Sequence, residues 1–488
     1  MKKLILGVLV CTMALAVTGC AQFLGSKVNV EQVMVPAPVP EPGKGRLTDP
    51  IVTPGIEVLL DTKWKTVVEE NGKKKKVPIF DQLVKGKRVG LITNPTGVDS
   101  NLVSTIDLLH ENPEVELVKL FAPEHGIRGD IYAGDKVETD VDPKTGVEVV
   151  SIYGRQNRPT PEMVQDLDIV LYDIQDVGSS SYTFVYSMAY MMEACAEAGV
   201  KFAVLDRPAP TGADYIDGPV LNTENYRTGV GYYDIAYMYG MTPGELGALF
   251  NKEFLEKEVE YVFVPMVNYV RKMRYFDTGL PWIPPSNHIP GAEHAFYYSL
   301  TGVIGELRSK ISIGVGYTLP FETIAAPWID RDELVDAINR AEIEGLMARP
   351  ITYQPRYAAY TGETVHGAHL IITDYYAIRP VTAQIKLMEI LQDLYPEQNI
   401  FTSEEAKRSL FDEVLGTDDI REYIAQGQST EFIMENVIEP RQEMFKDIRN
   451  KYKFYKNSFF EKKQMPKSAP KNNPRQGAGE LSQKAPMD

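Results

Sequence analysis

The chain has 488 residues, 44% of them hydrophobic and 24% charged, enough for two globular domains with tails. Its 67 acids outnumber 51 bases, for a formal net charge of −16. That balance argues against nucleic acid as a partner, because phosphate binding requires a basic surface.

The first residues, MKKLILGVLVCTMALAVTGC, pair a charged start at Lys2 and Lys3 with an apolar run over Leu4–Val17 that is too short to span a bilayer. This predicts a signal peptide over 1–19. The closing Val-Thr-Gly-Cys resembles a bacterial lipobox, which implies cleavage before Cys20 and lipidation of that residue. Several acyl chains on one residue anchor stably, where one alone does not. The expectation is a lipid-anchored lipoprotein of the bacterial cell envelope, on its periplasmic or outer-surface side. Cys11 leaves with the signal, and Cys195 lies in the apolar helical pattern SMAYMMEACAEAGV, as a core thiol does. No disulfide is expected.

Residues 20–53, with PAPVPEPGKG, read as the lipidated Cys and an extended Pro-rich tether. Alternation over Leu59–Phe80 around Glu70-Asn71-Gly72-Lys73 predicts a hairpin whose KKKK run, 73–76, is a solvated tip. Then a rhythm sets in. RVGLITN (88–94), VELVKLF (115–121), VEVVSIY (147–153), DIVLYDI (168–174) and KFAVLD (201–206) are short apolar strands. Helical spacing separates them over 101–112, 161–167 and 182–198, the last closed by Gly199. Apolar strands alternating with helices predict an α/β fold, a Rossmann-like parallel sheet with helices on both faces. The tail, 456–488, has a disordered composition.

Right-handed crossovers place the C-terminal ends of such strands on one edge, where ligands bind. Each strand runs out into polar residues: Asn94-Pro95-Thr96-Gly97, Glu124-His125-Gly126, Tyr153-Gly154-Arg155, Asp173 with Gln175 and Asp176, and Asp206-Arg207-Pro208. No glycine-rich phosphate loop comes after the first strand, so no nucleotide cofactor is expected. Nor is a metal, since the six histidines form no HxH or HExxH, and His366 and His369 would face opposite sides of a strand.

An acid-rich cleft suits glycoside hydrolysis, in which one carboxyl protonates the leaving oxygen and a second group acts at the anomeric carbon. Glu124 is the candidate general acid, with apolar Phe121 and Pro123 beside it to favour its protonated form. His125 is its companion, and Asp173 or Asp176 the second carboxylate. Asp173 and Asp206 are also residue types that cap helices or close turns.

GKRVGLITNPTGVD, FAPEHGIRGD, AGDKVETDVDPKTG, DIQDVG, LDRPAP, YGMTPGELG, TGLPWIPPS and PFETIAAPWID together resemble the exo-β-N-acetylmuramidases of the NamZ type, over roughly 54–455. The resemblance implies a Rossmann-like catalytic domain over 54–295, a smaller α+β domain over 296–455, and a cleft between them. It implies release of terminal N-acetylmuramic acid, or a related sugar, from peptidoglycan fragments, with no cofactor. It places Glu124 and His125 in the Glu-His-Gly motif, Asp173, Gln175 and Asp176 in Asp-Ile-Gln-Asp, and Glu322 in Pro-Phe-Glu. Asn94, Arg128, Tyr182, Asp206 and Arg207 are the further residues expected at the sugar. The chain also departs from the pattern. Ser180, Met238, Val315 and Leu319 stand where the family has arginines, Tyr239 where it has His, Ile313 where it has an acid, and Ala209 where it has Asn. Arginine is the natural fork for the lactyl carboxylate of muramic acid. An altered sugar preference, or a non-catalytic lipoprotein that binds cell-wall glycan, is therefore the alternative.

Overall fold

The computed structural model describes residues 52–457 apart from 71–72, 125, 129–139, 155–157, 308–309 and 404–409, together with a short antiparallel pairing of Val17–Thr18 with Glu31–Gln32. Residues 1–16 of the signal segment, Cys20 and the tail after residue 457 lie outside the described residues, as do His125 and the hairpin turn.

Seven strands form the central sheet: β1 (Arg88–Thr93), β2 (Glu116–Ala122), β3 (Asp140–Val141), β4 (Glu148–Ser151), β5 (Ile169–Asp173), β6 (Lys201–Leu205) and β7 (Tyr261–Val264), in the order β7-β6-β5-β1-β2-β4-β3. All neighbours run parallel except the short edge strand β3. Alternate side chains enter two different cores. Val89, Leu91, Leu120, Leu171 and Leu205 face one core, with Ile56, Leu59, Phe80 and Ile106. Ile92, Phe121, Val170, Tyr172 and Val204 face the other, beneath the helix Phe184–Ala198. Each fully buried Val, Leu or Ile side chain contributes about 1.5–3 kcal/mol. A sheet covered on both faces explains why its strands are continuous apolar runs.

Punctuation follows local chemistry. Gly199 adopts a left-handed conformation (φ 73°) and its N–H bonds the Cys195 carbonyl, stopping the long helix as its residue type predicts. Cys195, on the buried side of that helix, has its thiol driven well above the ordinary range by burial. The helix expected over 101–112 is only Thr105–His110. Asp99 Oδ1 accepts the N–H groups of Asn101 (2.9 Å) and Val103 (2.8 Å), so an Asx turn competes successfully with the helix at its start. The hairpin is Lys65–Glu70 with Lys73–Pro78, and Leu59, expected within it from sequence, belongs instead to a preceding helix, Gly55–Leu60.

The second lobe packs the helices His294–Gly305, Arg331–Arg340 and Pro380–Leu394 on a three-stranded antiparallel sheet: β8 (Thr323–Ala326), β9 (Leu346–Tyr353) and β10 (Val365–Ile372), in the order β8-β10-β9. His366 and His369 sit on β10 and pair across to Thr352 and Arg349, three residues apart and so on opposite faces. The final helix, Glu439–Asn450, and the residues after it return to the first lobe. No helix among the described residues is long and apolar enough to cross a membrane.

Candidate active site

The C-terminal ends of β6, β5, β1, β2 and β4 lie side by side in that order, so they bring Arg207, Gln175, Thr96, Glu124 and Tyr153 onto one edge. At its centre a hydrogen-bond chain links neighbouring strands. Asn94 Oδ1 accepts from the Thr96 N–H (3.0 Å) and hydroxyl (2.6 Å), and Thr96 Oγ1 accepts from the Gln175 N–H (2.8 Å). Gln175 Nε2 donates to the carbonyls of Asp176 (2.9 Å) and Pro208 (2.7 Å). Gly97 must be glycine here: an added Cβ would lie 2.1 Å from Thr93 Oγ1 and 2.9 Å from the Asp173 carbonyl. Three polar atoms of this edge, Asn94 Nδ2, Gln175 Oε1 and Asp176 Oδ1, are buried with no hydrogen-bond partner among the described residues. Buried polar atoms are rarely left so, and a ligand is one way to satisfy them.

Glu124, two residues beyond β2, has its carboxyl held at both oxygens. Tyr153 donates to Oε1 (2.9 Å) and Thr183 to Oε2 (2.6 Å). The expected apolar setting is not what surrounds it: Phe121 is wholly buried in the sheet core, and two hydroxyls meet the carboxyl instead. Sequence reasoning does not single out Tyr153 or Thr183 for this duty, although Tyr153 is visible there as a strand-end residue. Tyr182, edge-on to Phe184 and Tyr298, has its phenol raised by burial, eased by Ser286 and raised again by the carboxylates of Glu124 and Asp176. It therefore stands within electrostatic reach of both acids.

The other acids differ in their duties. Asp173 is fully buried; Arg207 Nε donates to Oδ1 (2.5 Å), Arg207 Nη2 to Oδ2 (2.9 Å) and Thr105 to Oδ2 (2.5 Å). Arg207 also reaches the Val98 carbonyl with Nη2 (2.7 Å), so this ion pair fastens β5 to the loop after β1. Asp176 is different. The Tyr239 hydroxyl and the Gly178 N–H (2.9 Å) serve Oδ2 alone, and burial pushes its pKa up to about 6 despite them. Of the two Asp-Ile-Gln-Asp carboxylates, Asp176 is the one that keeps an oxygen open.

Three further expected site residues are engaged with partners of their own. Asp206 caps the helix Pro243–Leu249 by accepting the Gly244 N–H (2.7 Å), and its other oxygen accepts from Tyr455 (2.6 Å); burial raises it to about 7. Arg128 forms a bidentate pair with Asp142 (3.1 and 2.9 Å). Glu322 lies in the second lobe between His294 Nε2 (3.2 Å) and His369 Nε2 (3.3 Å). Burial opposes charge on His294, but the carboxylates of Glu293 and Glu322 outweigh it and raise the pKa to about 9. Among the described residues, no group of three or more His, Cys, Asp or Glu is placed to hold a metal ion.

The departures from the family pattern are packed rather than vacant. Met238 and Ile313 belong to the second lobe's core, Val315 packs on it, Leu319 packs on a satellite core, and Ser180 and Ala209 are buried. Tyr239 has a part of its own, because its hydroxyl supplies the donor to Asp176.

Comparison with known proteins agrees with this architecture. The family description "Exo-beta-N-acetylmuramidase NamZ, N-terminal" matches residues 89–293, and its C-terminal counterpart matches 296–455. The chain belongs to the NamZ family. It is 43% identical, over 379 residues, to the peptidoglycan beta-N-acetylmuramidase NamZ of Bacillus subtilis (strain 168), covering 78% of this chain and 89% of that one. Two crystal structures of DUF1343 family proteins from Bacteroides fragilis NCTC 9343 share the NamZ-like fold. One has a TM-score of 0.75 at 40% identity and the other 0.63 at 29%; each match covers 84% of this chain and 100% of the crystallised one.

Proposed function

We propose that this NamZ-family chain is an exo-β-N-acetylmuramidase that releases terminal N-acetylmuramic acid from peptidoglycan fragments. The observation that carries the reading is the likeness, over most of both chains, to a relative with that named activity. The strand-edge cleft, in which Glu124 is held just beyond β2, supports it. Glu124 gives its proton to the glycosidic oxygen as the bond to the anomeric carbon breaks, and water supplies the hydroxyl that replaces it. Asp176, ionised above about pH 6, is the second carboxylate and offsets the positive charge that builds on the sugar. Asp173 acts indirectly, by holding Arg207. His125 is the companion group in this reading. Catalysis belongs to 54–295, with 296–455 as the second domain that completes the cleft.

The test uses the full-length chain in mild detergent, with disaccharides ending in N-acetylmuramic acid or in N-acetylglucosamine, followed by mass spectrometry. Release of muramic acid that disappears in Glu124→Gln is the expected result. Turnover that survives the substitution would remove Glu124 from its role. Binding without turnover of either sugar would favour the glycan-binding alternative. The lipobox-like end of the leader supports a lipid anchor at Cys20 in the bacterial envelope. Cys20→Ala should move the protein from the membrane pellet to the soluble fraction, and no shift would refute the anchor.

A further inference from the structure

The strand edge carries a recess beside the carboxyls whose chemistry is more specific than that of a general sugar cleft. Thr96, Gln175 and Arg207 of the strand edge line it together with Val98 and Tyr275 and with Leu280, Pro281 and Ile283 from the loop after β7. Its lining therefore combines apolar side chains with amide and guanidinium groups. Gln175 is 3% exposed, and both hydrogens of its Nε2 are committed to the carbonyls of Asp176 and Pro208. Its Oε1 is thereby fixed as an acceptor, and it has no partner among the described residues. Arg207 uses Nε and Nη2 on Asp173 and Val98, which leaves Nη1 as the nitrogen available to a ligand.

An acceptor, a donor and a small apolar wall fit a secondary amide: N–H to Gln175 Oε1, C=O to Arg207, methyl to Leu280 and Ile283. Charge decides against a carboxylate in the same place. The guanidinium is already neutralised by Asp173. Asp99 also lines the recess, and Glu57 lies within electrostatic reach of Arg207. An anion would meet more negative than positive charge there, whereas an amide has no charge to oppose. Register agrees. Gln175 follows β5 and Glu124 follows β2, with β1 between them, so at about 4.8 Å per strand the two sites are roughly 10 Å apart before their side chains reach inward. A pyranose ring with its 2-acyl substituent bridges such a gap.

We propose that the recess of Gln175, Arg207, Leu280 and Ile283 is the subsite for the 2-acetamido group of the terminal sugar, and that the lactyl carboxylate is held elsewhere. This rests on the muramidase reading of the same cleft. A site built to hydrogen-bond a substrate group strongly rejects an analogue that lacks it, and one methylene more in an apolar pocket is worth about 10–200-fold.

The experiment has two arms on the full-length chain. In the first, kcat/KM is measured for chromogenic β-glycosides of N-acetyl-, N-propionyl- and unacylated muramic acid. In the second, the three free sugars are titrated calorimetrically into Glu124→Gln. Both arms are repeated with Ile283→Ala and Leu280→Ala. N-propionyl and unacylated sugars should each lose at least about ten-fold against N-acetyl, and the alanine variants should restore N-propionyl selectively. Turnover or binding that ignores the acyl group, or selectivity that neither wall variant moves, overturns the subsite. Acyl-selective binding without turnover by the unsubstituted chain would instead sink the muramidase reading and leave the subsite standing.

Discussion

Asp173→Asn separates two roles that the sequence leaves open for this residue. In the fold, Asp173 is fully buried and accepts three side-chain hydrogen bonds, two from Arg207 and one from Thr105. Arg207 is itself only 5% exposed at the side chain. Removing the charge leaves a guanidinium without its counter-ion in a dry setting, where breaking a buried pair costs about 3–5 kcal/mol. Urea unfolding followed by tryptophan fluorescence reads this directly, as a lower midpoint. Turnover at low temperature, where the variant stays folded, should fall only as far as Arg207 is displaced from the cleft. Pairing the change with Arg207→Met should recover part of the stability, because an apolar pair carries no stranded charge. A loss below about 1 kcal/mol together with collapsed turnover would refute the reasoning and make Asp173 a reacting carboxylate.

Activity should decline as pH falls through about 6, where Asp176 takes up its proton, and Tyr239→Phe should move that limb upward by removing a donor to the carboxylate; an unmoved pH–rate profile would sever Asp176 from the reaction. Asp206 has a folded pKa of about 7, above its ordinary 3.8, so its contribution to stability is full below 3.8 and is lost as pH rises through 7. Stability of the unsubstituted chain minus that of Asp206→Asn should therefore shrink from pH 4 to pH 8, and a constant difference in denaturant titrations would contradict this. His294, raised from 6.5 to about 9, contributes fully below 6.5 and loses its contribution as pH passes 9. His294→Gln should therefore cost more at pH 6 than at pH 10 in the same measurement, and equal costs would show that Glu293 and Glu322 do not hold its charge.

The sheet is legible in the sequence because a parallel strand buried on both faces reads as an unbroken apolar run, which nothing else of that length between helices resembles. Val89 to Ile92 and Ile169 to Tyr172 are such runs, and all are buried. The edge on which polar residues gather follows from crossover handedness, so Glu124, Gln175 and Arg207 can be placed together from sequence alone. The duty of each carboxyl cannot. Asp173, Asp176 and Asp206 are the same residue type after neighbouring strands, yet their partners are Arg207, Tyr239 and Tyr455, and the last arrives from the end of the chain. Local sequence carries no sign of such distant partners. The short helix Thr105–His110 differs from expectation for a local reason instead, since the Asp99 turn competes for the same backbone N–H groups.

The return of the chain's end to the first lobe bears on how the molecule is made. Arg271 N–H bonds the Lys456 carbonyl (2.8 Å), Phe454 N–H bonds Glu245 (2.8 Å), and Tyr455 bonds Asp206 (2.6 Å). Asp206 and Glu245 are both fully buried, so until these late residues emerge each of these acids of the first lobe lacks part of its hydrogen bonding, Asp206 keeping Gly244 and Glu245 keeping Arg271. The lobe that is translated first is thus completed last. Truncation after Asn450 would register far from the cut, as new protease sensitivity around β6 and the helix that Asp206 caps.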